Sequence, residues 1–137
     1  STDDPETLRE ELENQRRRSQ SFYRFLNRNG YMVVLKPLKV FAGGTIKADL
    51  DLELAIDMFS LVDRCDKLIL VSGDGDFVPL IRAVAKRGVR IQVVSTQHPD
   101  AYANCNFKAA DELVDAADEF IELHDIIPKI TRDLSSR

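Results

Sequence analysis

Lys67-Leu68-Ile69-Leu70-Val71-Ser72-Gly73-Asp74-Gly75-Asp76-Phe77-Val78-Pro79-Leu80 is the stretch that decides the fold. Leu68 to Val71 is an apolar run with no polar interruption, the pattern of a parallel-sheet strand buried on both faces. A tight acidic turn follows. Phe77, Leu80, Ile81 and Val84 then recur at helical spacing, with Arg82 and Lys86 on the other side. Pro79 suits the first helical turn, which does not need its N–H, and Gly88 supplies the stop. The spacing predicts a strand over 68–72 that hands over to a helix through Asp74 and Asp76. Gly73 and Gly75 are expected to let the backbone bend sharply and to leave space beside the carboxylates. In open α/β sheets, ligands bind outside the carboxyl ends of the strands.

Two carboxylates this close repel, and a divalent cation relieves the repulsion. Hard oxygen ligands suit magnesium or manganese. The same residues also fit a plainer reading, in which Asp76 caps the helix and Asp74 shapes the turn. The local pattern leaves both open.

Upstream, Lys47-Ala48-Asp49-Leu50-Asp51-Leu52-Glu53-Leu54-Ala55-Ile56-Asp57-Met58-Phe59 predicts a helix. At about 100° per residue, Glu53, Asp57 and Ser60 share one narrow polar face. Asp51 falls on the opposite side, in register with Leu54, Ala55, Met58 and Val62. An Asp among apolar neighbours costs free energy unless the helix start or a cation compensates it. Asp49 is the expected N-cap, which leaves Asp51 needing a partner. Asp57 lies about 9 Å further along the axis. It ranks behind Asp51 as a ligand and otherwise reads as a solvated or salt-bridged helix residue.

The rest of the chain alternates. Residues 6–29 predict a helix carrying Arg16-Arg17-Arg18, either a solvated face or a phosphate-contacting ridge. Asn29-Gly30 ends it. Tyr31 to Leu35 reads as a strand, with Lys36-Pro37-Leu38-Lys39 leading out of its end. Residues 40–46, with Gly43-Gly44, read as a loop, a plain connector or a flap over a substrate. A turn over 63–66 precedes the 68–72 strand. Val89 to Val94 is a further strand, and Ser95, Thr96 and His98 in the following loop are candidates to meet a phosphate or base. His98 otherwise reads as an exposed loop residue. Residues 101–107 and 108–116 look helical. Glu119 to Leu123 alternates like an edge strand. A closing helix over 125–133 is interrupted early by Pro128. Residues 1–5 and 134–137 read as frayed ends.

This alternation predicts a mostly parallel sheet with helices on both faces, a three-layer α/β/α Rossmann-like fold. Right-handed crossovers put the ends of strands 31–35 and 68–72 on one rim. Asp51, Asp74 and Asp76 then converge there from separated segments.

Composition sets the outer bounds. A chain of 137 residues with 44% hydrophobic and 31% charged content suits one soluble globular domain. A net charge of −4 excludes a protein coated in basic residues but leaves room for a local basic path. No apolar run approaches the length of a membrane span, and no signal-peptide pattern opens the chain. Cys65 and Cys105 form no metal-spaced pair and have no His at ligand spacing. They read as free thiols in a reducing cytosol, which makes the expected location cytoplasmic.

Several of these stretches together resemble the NYN domain, in particular its LabA-like branch. They are Lys47-Ala48-Asp49-Leu50-Asp51, then Asp57, then Ser72-Gly73-Asp74-Gly75-Asp76-Phe77-Val78-Pro79-Leu80, then Gly88 and Ala117-Asp118-Glu119-Phe120-Ile121. The resemblance runs from about residue 20 to about residue 125. It implies a PIN-like fold whose acidic cluster binds magnesium or manganese and is associated with RNA cleavage. By resemblance, Asp51, Asp74 and Asp76 map onto that cluster, with Ser72 beside it and Asp57 as a further member. One departure stands out. Such domains open with an apolar strand ending in Asp, of the form F-x-D-x-x-N, and this sequence contains no such stretch. The resemblance thus implies an N-terminally incomplete domain, cut down or naturally altered. Its uncovered sheet edge would call for a second copy or another protein partner.

Three functions follow as expectations. The first is a metal-dependent endoribonuclease in which Asp51, Asp74 and Asp76 hold Mg2+ or Mn2+, Ser72 positions a ligand or water, and Lys36, Lys39, Lys47 and Arg82 guide the RNA backbone. The second is a catalytically impaired RNA- or protein-binding regulatory module of the same fold, which the missing opening Asp favours. The third is a phosphoryl-transfer enzyme with an Asp nucleophile. It ranks last, because no lysine or threonine motif of such enzymes stands at the other strand ends.

Overall fold

A computed structural model describes residues 5–36, 39–40, 46–47, 50–98 and 107–131, with the backbone alone at 5, 39–40 and 46–47. The chain divides into two compact units, Ser1–Ala48 and Asp49–Arg137.

The first unit opens with α1 (Pro5–Arg28). Glu6 lies in its first turn and Arg28 in its last, which suits the helix dipole. It stops where expected. Gly30 takes a φ of 84°, and the Asn29 side-chain amide donates to the Phe25 carbonyl at 2.8 Å. The strand expected over 31–35 does not form, and residues 31–36 have no regular structure. A strand needs a neighbour to satisfy its backbone, and no described residue of this unit pairs with the segment. Instead, the Val33 N–H donates to the side-chain oxygen of Asn27 at 3.3 Å. Where a loop was expected over 40–46, β1 (Lys39–Val40) and β2 (Ile46–Lys47) form an antiparallel pair with Lys39 opposite Lys47. Residues 41–45, with Gly43-Gly44, lie outside the described residues.

The second unit runs α2 (Asp51–Leu61), a 3-10 turn (Val62–Arg64), β3 (Lys67–Val71), a second 3-10 turn (Gly75–Phe77), α3 (Val78–Ala85), β4 (Arg90–Ser95), α4 (Asp111–Ala116), β5 (Glu119–Glu122) and α5 (Leu123–Ile130). Among its described residues, the strands are parallel in the order β3-β4-β5. Leu70 pairs with Val93, and Val93 with Phe120. The fold is α/β and Rossmann-like, a parallel sheet flanked by helices, and β5 takes the edge that its alternation suggested.

Several boundaries differ from the sequence reading. The helix expected from 47 begins at Asp51, with Leu50 in the N-cap position and no side-chain cap bond. Asp49, the expected cap, lies outside the described residues, as do 101–106. Residues 107–110 have no regular structure rather than being helical, and α4 starts only at Asp111. Their N–H groups are used sideways. Ala109 donates to the Thr96 carbonyl at 2.8 Å and Ala110 to that of Gly73 at 3.0 Å, which ties the segment to the strand ends.

The core lies between the sheet and α2, α3 and α4. Ile81, Val84, Ile91, Val93 and Leu113 are at most 1% exposed, each worth about 1.5–3 kcal/mol of burial. Met58 and Val62 join them from the α2 side and Phe77 from the turn. On β4, Ile91, Val93 and Ser95 alternate inward. β3 corrects the expectation of a strand buried on both faces. Leu70 is buried, but Ile69 is 59% and Val71 74% exposed. An uninterrupted apolar run cannot report which face is covered, and among the described residues β3 is the other edge of this sheet.

Candidate metal centre

The site is built where β3 ends. Ser72, half-buried, accepts a hydrogen bond at its Oγ from the Asp74 N–H at 3.2 Å. Asp74, extended at φ −79° and ψ 120°, accepts one at Oδ1 from the Asp76 N–H at 2.9 Å. Asp74 thus caps the 3-10 turn that leads into α3. The plainer sequence reading holds in substance, but the cap is Asp74, not Asp76. Phe77, 5% exposed, anchors the turn in the core. The two serial side-chain bonds hold Asp74 and Asp76 in a set orientation on the rim.

Gly73 and Gly75 serve space rather than bending. Among the described glycines, only Gly30 and Gly88 take positive φ. A Cβ at Gly73 would overlap the Phe107 ring and come within 2.8 Å of Ser95 Oγ, and one at Gly75 would lie 3.1 Å from the Ala110 Cβ.

Asp51 arrives from the first residue of α2. It sits half-buried in register with Ala55 and the buried Met58 and Val62, as its spacing indicated, while Leu54 on that stripe is 40% exposed. Its place at the helix start also gives it the favourable end of the helix dipole. Asp51, Asp74 and Asp76 each offer a carboxylate oxygen, and these atoms lie within 4.8 Å of one another. At such separations each pair of negative charges repels by about 1 kcal/mol even in water. Opposite oxygen ligands of a Mg2+ or Ca2+ ion stand roughly 4–5 Å apart, so the donor set fits a hard divalent cation.

The other candidates fall differently. Asp57, half-buried further along α2, is not among the clustered carboxylates. Arg82 is exposed on α3. Lys36 is half-buried in the first unit, and the side chains of Lys39 and Lys47 lie outside the described residues. Thr96 is occupied by its neighbours, since its Oγ1 accepts from the His98 N–H at 3.0 Å and it also bonds the Glu122 carboxylate. Burial raises the Glu122 carboxyl, but bonds from the Gln97 N–H, Thr96 and the His124 N–H outweigh this and leave it below the usual value.

Two hollows flank the acidic rim. One, of about 840 Å3, lies between α2 and α3 and is lined by Asp51 and Asp76 together with Ile56, Phe59 and Leu80. The second, of about 480 Å3, opens at the ends of β3 and β4 beside Ser72 and Gly73. Sequence reasoning named Ser72, Ser95 and Thr96 from its lining but missed Phe107, Leu123 and Ile127, which come from remote segments.

The NYN domain model matches residues 7–125. The chain is 39% identical over 103 residues to the low amplitude and bright protein LabA of Synechococcus elongatus, across 71% of this chain and 50% of the relative. It therefore spans about half the length of that curated relative. In structure it is similar to a Vibrio parahaemolyticus protein of unknown function, with a TM-score of 0.63 and 26% identity over 90% of this chain and 64% of the other. With an acidic cluster placed at the strand ends of a Rossmann-like sheet, and with matches of this extent, the chain belongs to the NYN domain family, in its LabA-like branch.

Proposed function

We propose that this chain is a metal-dependent ribonuclease domain that cleaves RNA phosphodiester bonds at Asp51, Asp74 and Asp76. The observation that carries the reading is the meeting of three carboxylate oxygens from two separated segments within 4.8 Å. Membership of a nuclease-like family supports it.

Asp51, Asp74 and Asp76 would hold Mg2+ or Mn2+. When bound, the cation supplies charge neutralisation at the phosphate and lowers the pKa of an attacking water. The chain's own residues do the positioning. Ser72 fixes the Asp74 backbone, and Asp74 in turn fixes Asp76. Asp51 adds a carboxylate backed by a helix start. Arg82 is proposed to meet RNA phosphates from α3. Lys36, Lys39 and Lys47 are proposed to do so from the first unit, which makes RNA binding fall with salt. A second copy or another protein is proposed to cover the exposed β3 edge. Among the described residues no helix is long and apolar enough to cross a membrane.

The test is cleavage of single-stranded RNA with manganese by the wild type and by Asp74→Asn. Loss of cleavage in the variant is expected, and equal rates would eliminate this site. RNA binding without products under any divalent metal would select the regulatory-module reading instead.

A further inference from the structure

We infer that the hollow at the ends of β3 and β4 binds a nucleobase of the RNA strand whose phosphate lies at the acidic cluster. The inference rests on the nuclease reading above and adds the group that is recognised.

Three features meet at Gly73. Ser95 is 7% exposed. Its hydroxyl lines the hollow and lies against Gly73, at 2.8 Å from the position a Cβ would take. A serine hydroxyl at the wall of a hollow both donates and accepts a hydrogen bond. Phe107, 49% exposed, brings its ring edge to the same glycine. Any side chain at 73 would collide with it. Val71 and Ile127 complete an apolar wall.

An aromatic ring, an apolar wall and hydroxyls that both donate and accept suit a flat heterocycle with a polar edge. Single-stranded RNA offers such a group, because its unstacked bases can be splayed onto aromatic side chains. Position supports the same occupant. Gly73 is one residue, about 3.8 Å between Cα atoms, from Asp74, and Ser72 both lines the hollow and bonds the Asp74 N–H. A base seated here is covalently tied to a phosphate beside the carboxylates.

The chain contains no tryptophan, so Phe107→Trp places a single reporter in the hollow. Its fluorescence is followed while short single-stranded oligoribonucleotides of A, C or U are added in calcium. Saturable quenching is expected, with none from an abasic oligonucleotide. Adding Ser95→Ala should weaken half-saturation about fivefold, the size of one lost hydrogen bond. RNA binding seen by mobility shift with no quenching overturns the inference, as does equal quenching by the abasic strand. Base-dependent quenching in a chain whose manganese-dependent cleavage is absent would keep the pocket and discard the nuclease reading. Cleavage without quenching would do the reverse.

Discussion

Asp74 has two roles that different substitutions separate. Its Oδ1 accepts from the Asp76 N–H, and its carboxylate belongs to the acidic cluster. Asp74→Asn keeps an oxygen for the cap and removes the charge. It should leave thermal stability near that of the wild type while abolishing manganese binding by calorimetry and reducing cleavage at least a hundredfold. Asp74→Ala should do the same and also lose about 1 kcal/mol of stability with the cap. Asp57→Asn is the contrast. Because Asp57 is not among the clustered carboxylates, it should change manganese affinity by less than about twofold. A large loss there would show that the centre extends further along α2 than the geometry indicates.

Elements are joined at their ends by single acidic residues. Asp118 precedes β5 and clasps β4, its Oδ2 accepting from the Ile91 N–H at 2.7 Å while its own N–H donates to the Ile91 carbonyl at 3.0 Å. Asp118→Ala should cost about 1.5–3 kcal/mol in urea unfolding, the usual worth of a bond to a charged acceptor. Glu122 closes the other end of β5, accepting from the Gln97 N–H at 2.9 Å and from the His124 N–H at 3.2 Å. These bonds depress its carboxyl despite burial. A carboxyl depressed in the folded state contributes stability that is complete above its unfolded value of about 4.5. That contribution fades as pH falls through the lower folded value. Glu122→Gln should therefore lower Tm by about 2–5 °C at pH 7, and the gap to the wild type should narrow as pH falls below about 4.5. A gap that persists in acid would mean that the variant loses something other than the carboxylate's charge.

For the whole chain, metal and stability are linked. A cation that binds the folded cluster and not the unfolded chain stabilises by about 2.7 kcal/mol at a hundredfold excess over its Kd. Manganese should raise Tm in the wild type by several degrees and leave Asp74→Asn unmoved. A shift of equal size in both would place the stabilising ion elsewhere. The exposed Ile69 on β3 is apolar surface that water does not favour, which is where the proposed covering partner would sit.

The strand-turn-helix from Lys67 to Ala85 was legible in sequence because its signals are local. The apolar run sets the strand, and the period of Phe77, Ile81 and Val84 sets the helix. Spacing alone also turned Asp51 toward the buried side of α2. The α1 stop at Gly30 and the α3 stop at Gly88 were readable because both take the left-handed backbone that glycine favours. The strand over 31–35 was misread for the opposite reason. Its residues suit a strand, but pairing depends on a neighbour that local pattern cannot supply. The same holds for the open face of β3, where burial is a property of what packs above it. Likewise the cap fell to Asp74 rather than Asp76, and Gly73 proved necessary for the ring of Phe107, a residue 34 positions away in the chain. Sequence by itself determined which segments become elements and which acids stand at their ends. Only the tertiary structure decided which of those acids meet, which hydroxyl faces a hollow and which apolar faces stay open, because distances between remote segments are set by packing.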